Sequence, residues 1–142
     1  GGDLITAGTN PEGRPWRIGI ERPELASQRI EQLVDISGLA MATSGDYRNF
    51  FEEDGVRYSH IIDAQTGRPI THSTASVTVL AGDAMSADAW ATALLVLGAE
   101  RGMALSLRLD LAVYFIERDT TSEELAFITR ASPAFEALEV AQ

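Results

Sequence analysis

Asp88 and Thr92 stand four residues apart in Ala84-Met85-Ser86-Ala87-Asp88-Ala89-Trp90-Ala91-Thr92-Ala93-Leu94-Leu95-Val96-Leu97-Gly98, a run that otherwise reads as a buried helix. On an α-helix, positions i and i+4 lie one above the other, so a carboxylate and a hydroxyl converge on one face. Two hard oxygen ligands suit Mg²⁺ or Ca²⁺, and the small residues Ala87, Ala89, Ala91 and Ala93 leave room for a bulky ligand to approach. An alternative reading puts Asp88 in a solvated first turn favoured by the helix dipole, with Thr92 bonding back to its own backbone. A second centre lies upstream, in Tyr58-Ser59-His60-Ile61-Ile62-Asp63-Ala64-Gln65-Thr66-Gly67-Arg68-Pro69-Ile70. An unperturbed imidazole with a pKa of about 6.5 at the end of an apolar strand is able to take a proton from a hydroxyl. The same His60 also fits a structural role, bonded to Asp63 or to a backbone carbonyl. Asp63 is expected to close an Asx-type turn ahead of Thr66-Gly67. His72, in a Thr-His-Ser-Thr loop, is expected at the surface.

A third polar cluster, Thr43-Ser44-Gly45-Asp46-Tyr47-Arg48, closes an apolar segment. Ser44 and Gly45 suit a ligand-facing turn, since glycine permits close backbone approach, and they also suit a plain turn into a hairpin. Asp46, Tyr47 and Arg48 read as scaffold, with the arginine pairing to a local carboxylate. The elements that position these groups alternate along the chain. Trp16 to Ile20 reads as a strand, after a loop punctuated by Pro11, Gly13 and Pro15. Val34 to Thr43 reads as one buried strand delivering Ser44 at its end. Arg48 to Glu52 and Val56 to Ile62, around Glu53-Asp54-Gly55, read as a hairpin. Ser76 to Leu80 is a short strand, helices span 84–97 and 99–108 with Gly98 as the cap between them, and Leu111 to Glu117 is a late strand. Phe127 to Thr129 pairs at an edge, and Pro133 breaks the remaining tail.

A chain of 142 residues with 45% hydrophobic content can bury one substantial core. The absence of cysteine excludes disulfides, thiolate metal sites and cysteine nucleophiles. A formal charge of −10 argues against nucleic acid as a partner, because phosphate-backbone binding draws on clustered Lys and Arg. No apolar stretch approaches the roughly 20 residues needed to span a bilayer.

Gly1-Gly2-Asp3, Pro15-Trp16-Arg17-Ile18-Gly19-Ile20, the segment from Ala42 to Arg48 and the segment from Tyr58 to Ile70 are four motifs in the order and approximate spacing of the ApbE family, the FAD:protein FMN transferases, which the sequence resembles over roughly residues 1 to 116. Where the family reads His-Ile-Ile-Asp-Pro, this chain has Ala64, which relaxes a turn without removing a chemical group. The resemblance implies an α+β fold, a mixed, mostly antiparallel sheet with packed helices in an ApbE-like, T-fold-like domain. It implies that residues 1–142 form the C-terminal portion of such a domain, preceded by a segment of the type Asp-Leu-Gly-x-Ile-Ala-Lys-Gly that supplies further FAD and metal contacts. The implied activity is Mg²⁺-dependent transfer of FMN from FAD to a threonine hydroxyl of an acceptor protein, with release of AMP. In that scheme Asp88 and Thr92 hold Mg²⁺, His60 is the base or positioner of the acceptor hydroxyl, and Ser44, Gly45 and Ile61 contact FAD. The implied location is the periplasm, or an inner-membrane-anchored lipoprotein whose signal would lie upstream. Hydrolysis of FAD to FMN and AMP, or flavin binding without catalysis, would use the same residues.

Overall fold

The computed structural model describes residues 2–24, 28–46, 50–53, 56–59, 62–69, 73–124 and 126–140. In chain order the elements are β1 (Gly2–Ile5), β2 (Trp16–Glu21), β3 (Ile30–Ile36), β4 (Ala40–Gly45), β5 (Phe50–Glu53), β6 (Val56–Ser59), β7 (Ile62–Asp63), β8 (Arg68–Pro69), β9 (Thr74–Ala81), α1 (Ala84–Leu97), α2 (Ala99–Leu109), β10 (Ala112–Arg118), β11 (Phe127–Ala131) and α3 (Pro133–Val140). The fold is α+β and mostly antiparallel, as expected. Five strands form the main sheet in the order β1-β4-β9-β10-β11, and every neighbouring pair in it is antiparallel. Three two-stranded ladders stand apart from it: β2 with β3, β5 with β6, and β7 with β8. Among the described residues, no helix is long and apolar enough to cross a membrane.

The sheet is covered on both faces, and its side chains sort by the period-2 alternation of strands. Ala40 and Ala42 of β4, Val77 and Val79 of β9, and Val113 and Phe115 of β10 are buried against Ala87, Ala91, Leu94 and Leu95 of α1 and Ala99 of α2. The intervening residues Met41, Leu80, Ala112, Tyr114 and Ile116 face the other way, onto Ile20, Val34 and Ile36 of the β2–β3 ribbon and Phe135 of α3. The central strands β9 and β10 are therefore buried on both sides; β10 accordingly opens on the apolar run Ala112 to Ile116, whereas β9 buries Thr74, Ser76 and Thr78 among its apolar residues.

Three expectations need correction. The segment from Val34 to Thr43 is two strands in two different layers. It is broken at Ser37-Gly38, where Gly38 takes a φ of 72° that a side chain would disfavour. Pro133 starts a helix instead of ending structure: it occupies the first helical position, where its missing N–H costs nothing, and the buried Ser132 hydroxyl caps the turn by accepting from Phe135 N at 3.3 Å. Finally, α1 is half-buried. Ala87, Ala91, Leu94 and Leu95 form its covered stripe, while Met85, Asp88, Ala89, Thr92 and Ala93 are exposed.

Candidate metal and flavin site

The position of α1 is set at both ends. Asp83 caps its start, its carboxylate accepting from the Ser86 amide and hydroxyl at 2.8 Å each, and these bonds hold its pKa below the ordinary value of 3.8. At the other end the Gly98 amide donates to Leu94 O at 3.0 Å, and the first amide of α2, Ala99 N, donates to Thr74 Oγ1 of β9 at 2.8 Å. The junction of the two helices is thereby tied to the first residue of β9. The covered stripe then lays α1 across β4 and β9.

With the helix so placed, Thr92 meets the end of β4. Ser44 Oγ and Thr92 Oγ1 lie 3.1 Å apart, a hydrogen bond between residues 48 positions apart in sequence. Asp88, one turn earlier on α1, is exposed like Thr92, and no ion pair engages it among the described residues. It lies in the second turn, beyond the helix N-terminus, so the dipole of the first turn gives no reason for a carboxylate there. Of the four alanines expected to leave room for a ligand, Ala87 and Ala91 are spent on the sheet, and only Ala89 and Ala93 border the open face.

The residues present fit a hard divalent cation of the Mg²⁺ kind. Among the described residues there is no group of three or more His, Cys, Asp or Glu side chains able to cage a metal. Mg²⁺ does not require such a cage; it is commonly held by one or two carboxylates and completed by water and substrate phosphates. A hydroxyl has one proton and two lone pairs, so the Ser44–Thr92 bond leaves oxygen lone pairs free for a cation beside Asp88.

Gly45 is the last paired residue of β4, opposite Ser76, so Ser44 and Gly45 end a ladder and do not form a tight turn. Asp46 is next, buried, with its amide donating to Ala75 O at 3.1 Å and its carboxylate taking both ends of the Arg118 guanidinium at 2.6 and 3.0 Å. Its scaffold role is met by an arginine 72 residues away. The Asx turn is present: Gln65 N donates to Asp63 Oδ1 at 2.8 Å. His60, Ile61, His72, Tyr47 and Arg48 lie outside the described residues. A cavity of about 830 Å³ opens between α1, α3 and the far ends of β9 and β10, lined by Trp90, Leu111 and Leu138 among others. Neither Ser44, Asp88 nor Thr92 borders it, so the candidate ligands form a surface patch of this segment, apart from that cavity.

Comparison with known proteins extends this geometry. The sequence model of the ApbE family matches residues 1–115. FAD:protein FMN transferase of Escherichia coli K12 is 47% identical over 142 residues, covering 100% of this chain and 39% of that protein. The Haemophilus influenzae protein of the same name is 43% identical over 139 residues, 97% of this chain and 39% of its own length. Among solved structures, the apo flavinyl transferase ApbE of Pseudomonas stutzeri matches with a TM-score of 0.81 at 43% identity, over 99% of this chain and 42% of that one. An ApbE protein of Thermotoga maritima matches with a TM-score of 0.78 at 32% identity, over 98% of this chain and 43% of the other. The chain thus spans about two fifths of the length of the relatives it matches.

Proposed function

The chain belongs to the ApbE family, and on that premise we propose that it carries the metal-holding part of an FAD:protein FMN transferase. The observation that carries this reading is the meeting of Ser44 with Thr92 beside a solvent-facing Asp88. Cleaving the pyrophosphate of FAD means handling negative charge on two phosphoryl groups, and a chain of formal charge −10 offers no general positive field for it. Bound Mg²⁺ would supply that charge locally as a Lewis acid. Asp88 and Thr92 would hold the ion, and Ser44 would fix the orientation of the Thr92 hydroxyl. Ser44, Gly45 and Ile61 would border the flavin nucleotide.

In the proposed reaction the hydroxyl oxygen of an acceptor threonine attacks the phosphorus of the FMN half of FAD. The new P–O bond forms as the pyrophosphate P–O bond breaks, AMP leaves with the bridging oxygen, and His60 accepts the hydroxyl proton. The names of the relatives support flavin transfer; Mg²⁺ dependence, the threonine and the role of His60 belong to this proposal. The deciding experiment incubates full-length protein with FAD and Mg²⁺, with and without a flavin-accepting protein. Covalent flavin on the acceptor, identified at a threonine by mass spectrometry, is the expected result. Steady release of FMN and AMP without an acceptor would make water the true acceptor and overturn the transferase reading.

A further inference from the structure

The ends of β4 and β10 and the junction of α1 with α2 are all tied to three consecutive residues, Ser73, Thr74 and Ala75, at the start of β9. The Asp46 amide, just past β4, donates to Ala75 O at 3.1 Å; the Arg118 amide, ending β10, donates to Ser73 O at 2.9 Å; Thr74 accepts the Ala99 amide at the α1–α2 junction at 2.8 Å. Over β9, the Arg118 guanidinium and Asp46 carboxylate close a two-bond fork at 2.6 and 3.0 Å, with side-chain exposures of 20% and 10%. A fork of this kind fixes both distance and plane, which a lysine ammonium cannot do. Arg118 also lies just beyond residues 1–115, the part of the chain matched by the family.

We propose that the Asp46–Arg118 fork is a positioning device for the metal site, holding the end of β4 in the register that presents Ser44 to Thr92. This rests on the reading of Asp88 and Thr92 as metal ligands. Ser44 is two residues from Asp46 on the same strand end, and its partner Thr92 belongs to a helix anchored independently through Ala99 and Thr74. The hydroxyl pair therefore survives only while both anchors keep a common reference on β9. Asp46 and Arg118 touch neither metal nor substrate in this scheme; they act through Ser44. Groups that orient ligands in this way typically change metal affinity by about 10- to 100-fold when altered.

The test uses full-length, metal-stripped enzyme with FAD present, and reads Mg²⁺ binding by calorimetry, the rate at saturating Mg²⁺, and thermal stability. Arg118→Lys keeps the charge and loses the fork. It is expected to weaken Mg²⁺ binding by about 10- to 100-fold while the rate at saturating Mg²⁺ stays within about 3-fold of wild type. Ser44→Ala is expected to give a similar shift, and the double variant little more than either alone, because the two changes act on one network. Should Arg118→Lys fail to fold, Asp46→Asn, which keeps the shape and one acceptor, is read in its place. Lowered stability with unchanged Mg²⁺ affinity would overturn the proposal and leave the pair a purely structural tie. Asp88→Asn separates the two levels: if it weakens Mg²⁺ binding and the Arg118 variant does not, the positioning role alone fails; if it has no effect either, the metal reading fails with it.

Discussion

Replacing Asp88 by asparagine changes one oxygen to a nitrogen on an exposed side chain and keeps the shape of the helix surface. The structure puts bounds on the folding effect. Asp88 lies past the first turn of α1, is exposed, and has no ion pair among the described residues. Surface substitutions of that kind stay within about 0.5 kcal/mol, which for a domain this size or larger moves Tm by about 1–2 °C. The catalytic effect is expected to be far larger. Removing one fixed group that stabilises transition-state charge costs on the order of 10² to 10³ in rate, about 2.7–4 kcal/mol. The assay is the initial rate of FMN transfer to an acceptor protein over a Mg²⁺ titration, with a thermal melt on the same preparation. A large rate loss at an unchanged Tm is the expected pair of results. Wild-type rates with wild-type Mg²⁺ dependence would refute the reasoning, since a carboxylate that holds the ion cannot be neutralised silently.

Three further outcomes rest on particular contacts. His60→Ala in the full-length enzyme is expected to cut flavinylation by on the order of 10² to 10⁴ while FAD affinity, measured by flavin fluorescence, is retained; parallel loss of both would make His60 a flavin contact or a structural residue. Gly102→Ala sets a Cβ 2.9 Å from Cζ of Phe115, a ring with no exposure, so overpacking of about 1–3 kcal/mol outweighs the helix-propensity gain of about 1 kcal/mol and the urea midpoint falls; Phe115→Leu in the same background is expected to relieve the clash. Asp83→Ala removes a cap whose carboxylate is held below its ordinary pKa of 3.8 by the Ser86 amide and hydroxyl. A lowered folded-state pKa means the capping contribution is complete above the ordinary value and disappears as pH falls through the lowered one. The Tm gap between wild type and variant is therefore expected to be widest above pH 3.8 and to close below it.

Local signals made much of the fold legible. α1 is legible as a long run rich in the helix formers Ala and Leu, α2 because its apolar residues recur at helical spacing, Gly98 separates the two, and β10 is legible because Leu111 to Glu117 is too apolar and β-branched for a surface loop. β1 carries no local signal: its four residues begin with glycine and show no alternation, and the strand exists through its pairing with β4. The fusion of β3 and β4 into one strand had a similar origin. Apolar residues dominate from Val34 to Thr43, and the short interruptions at Asp35 and Ser37-Gly38 give no hint that the flanking halves belong to different layers. Pro133 shows an ambiguity of residue type, since proline both stops helices and begins them, and only Ser132 before it favoured the second role. At the site, the i,i+4 relation of Asp88 and Thr92 was local and therefore readable. The partners that complete it were not, since Ser44 is 48 residues from Thr92 and Arg118 is 72 from Asp46.

Which hydroxyl meets α1 is decided by the parity of β4. Ala40 and Ala42 point into the core beneath α1, and Met41 into the core beneath α3 and the ribbon. Two residues beyond Ala42, Ser44 must fall on the α1 side; Thr43 must fall on the other, where its Oγ1 lies 2.8 Å from Thr78 Oγ1 across the β4–β9 pair. A slip of one residue would exchange the two, sending Ser44 away from Thr92 and driving Met41 against a helix that packs closely because Ala40 and Ala42 are small. Both faces of the sheet oppose that slip: the alanines permit the approach of α1, and Met41 fills the opposite layer. The hydrophobic pattern that builds the core is thus also what aims Ser44 at Thr92, and the chemistry of the patch depends on strand register as much as on the identity of its residues.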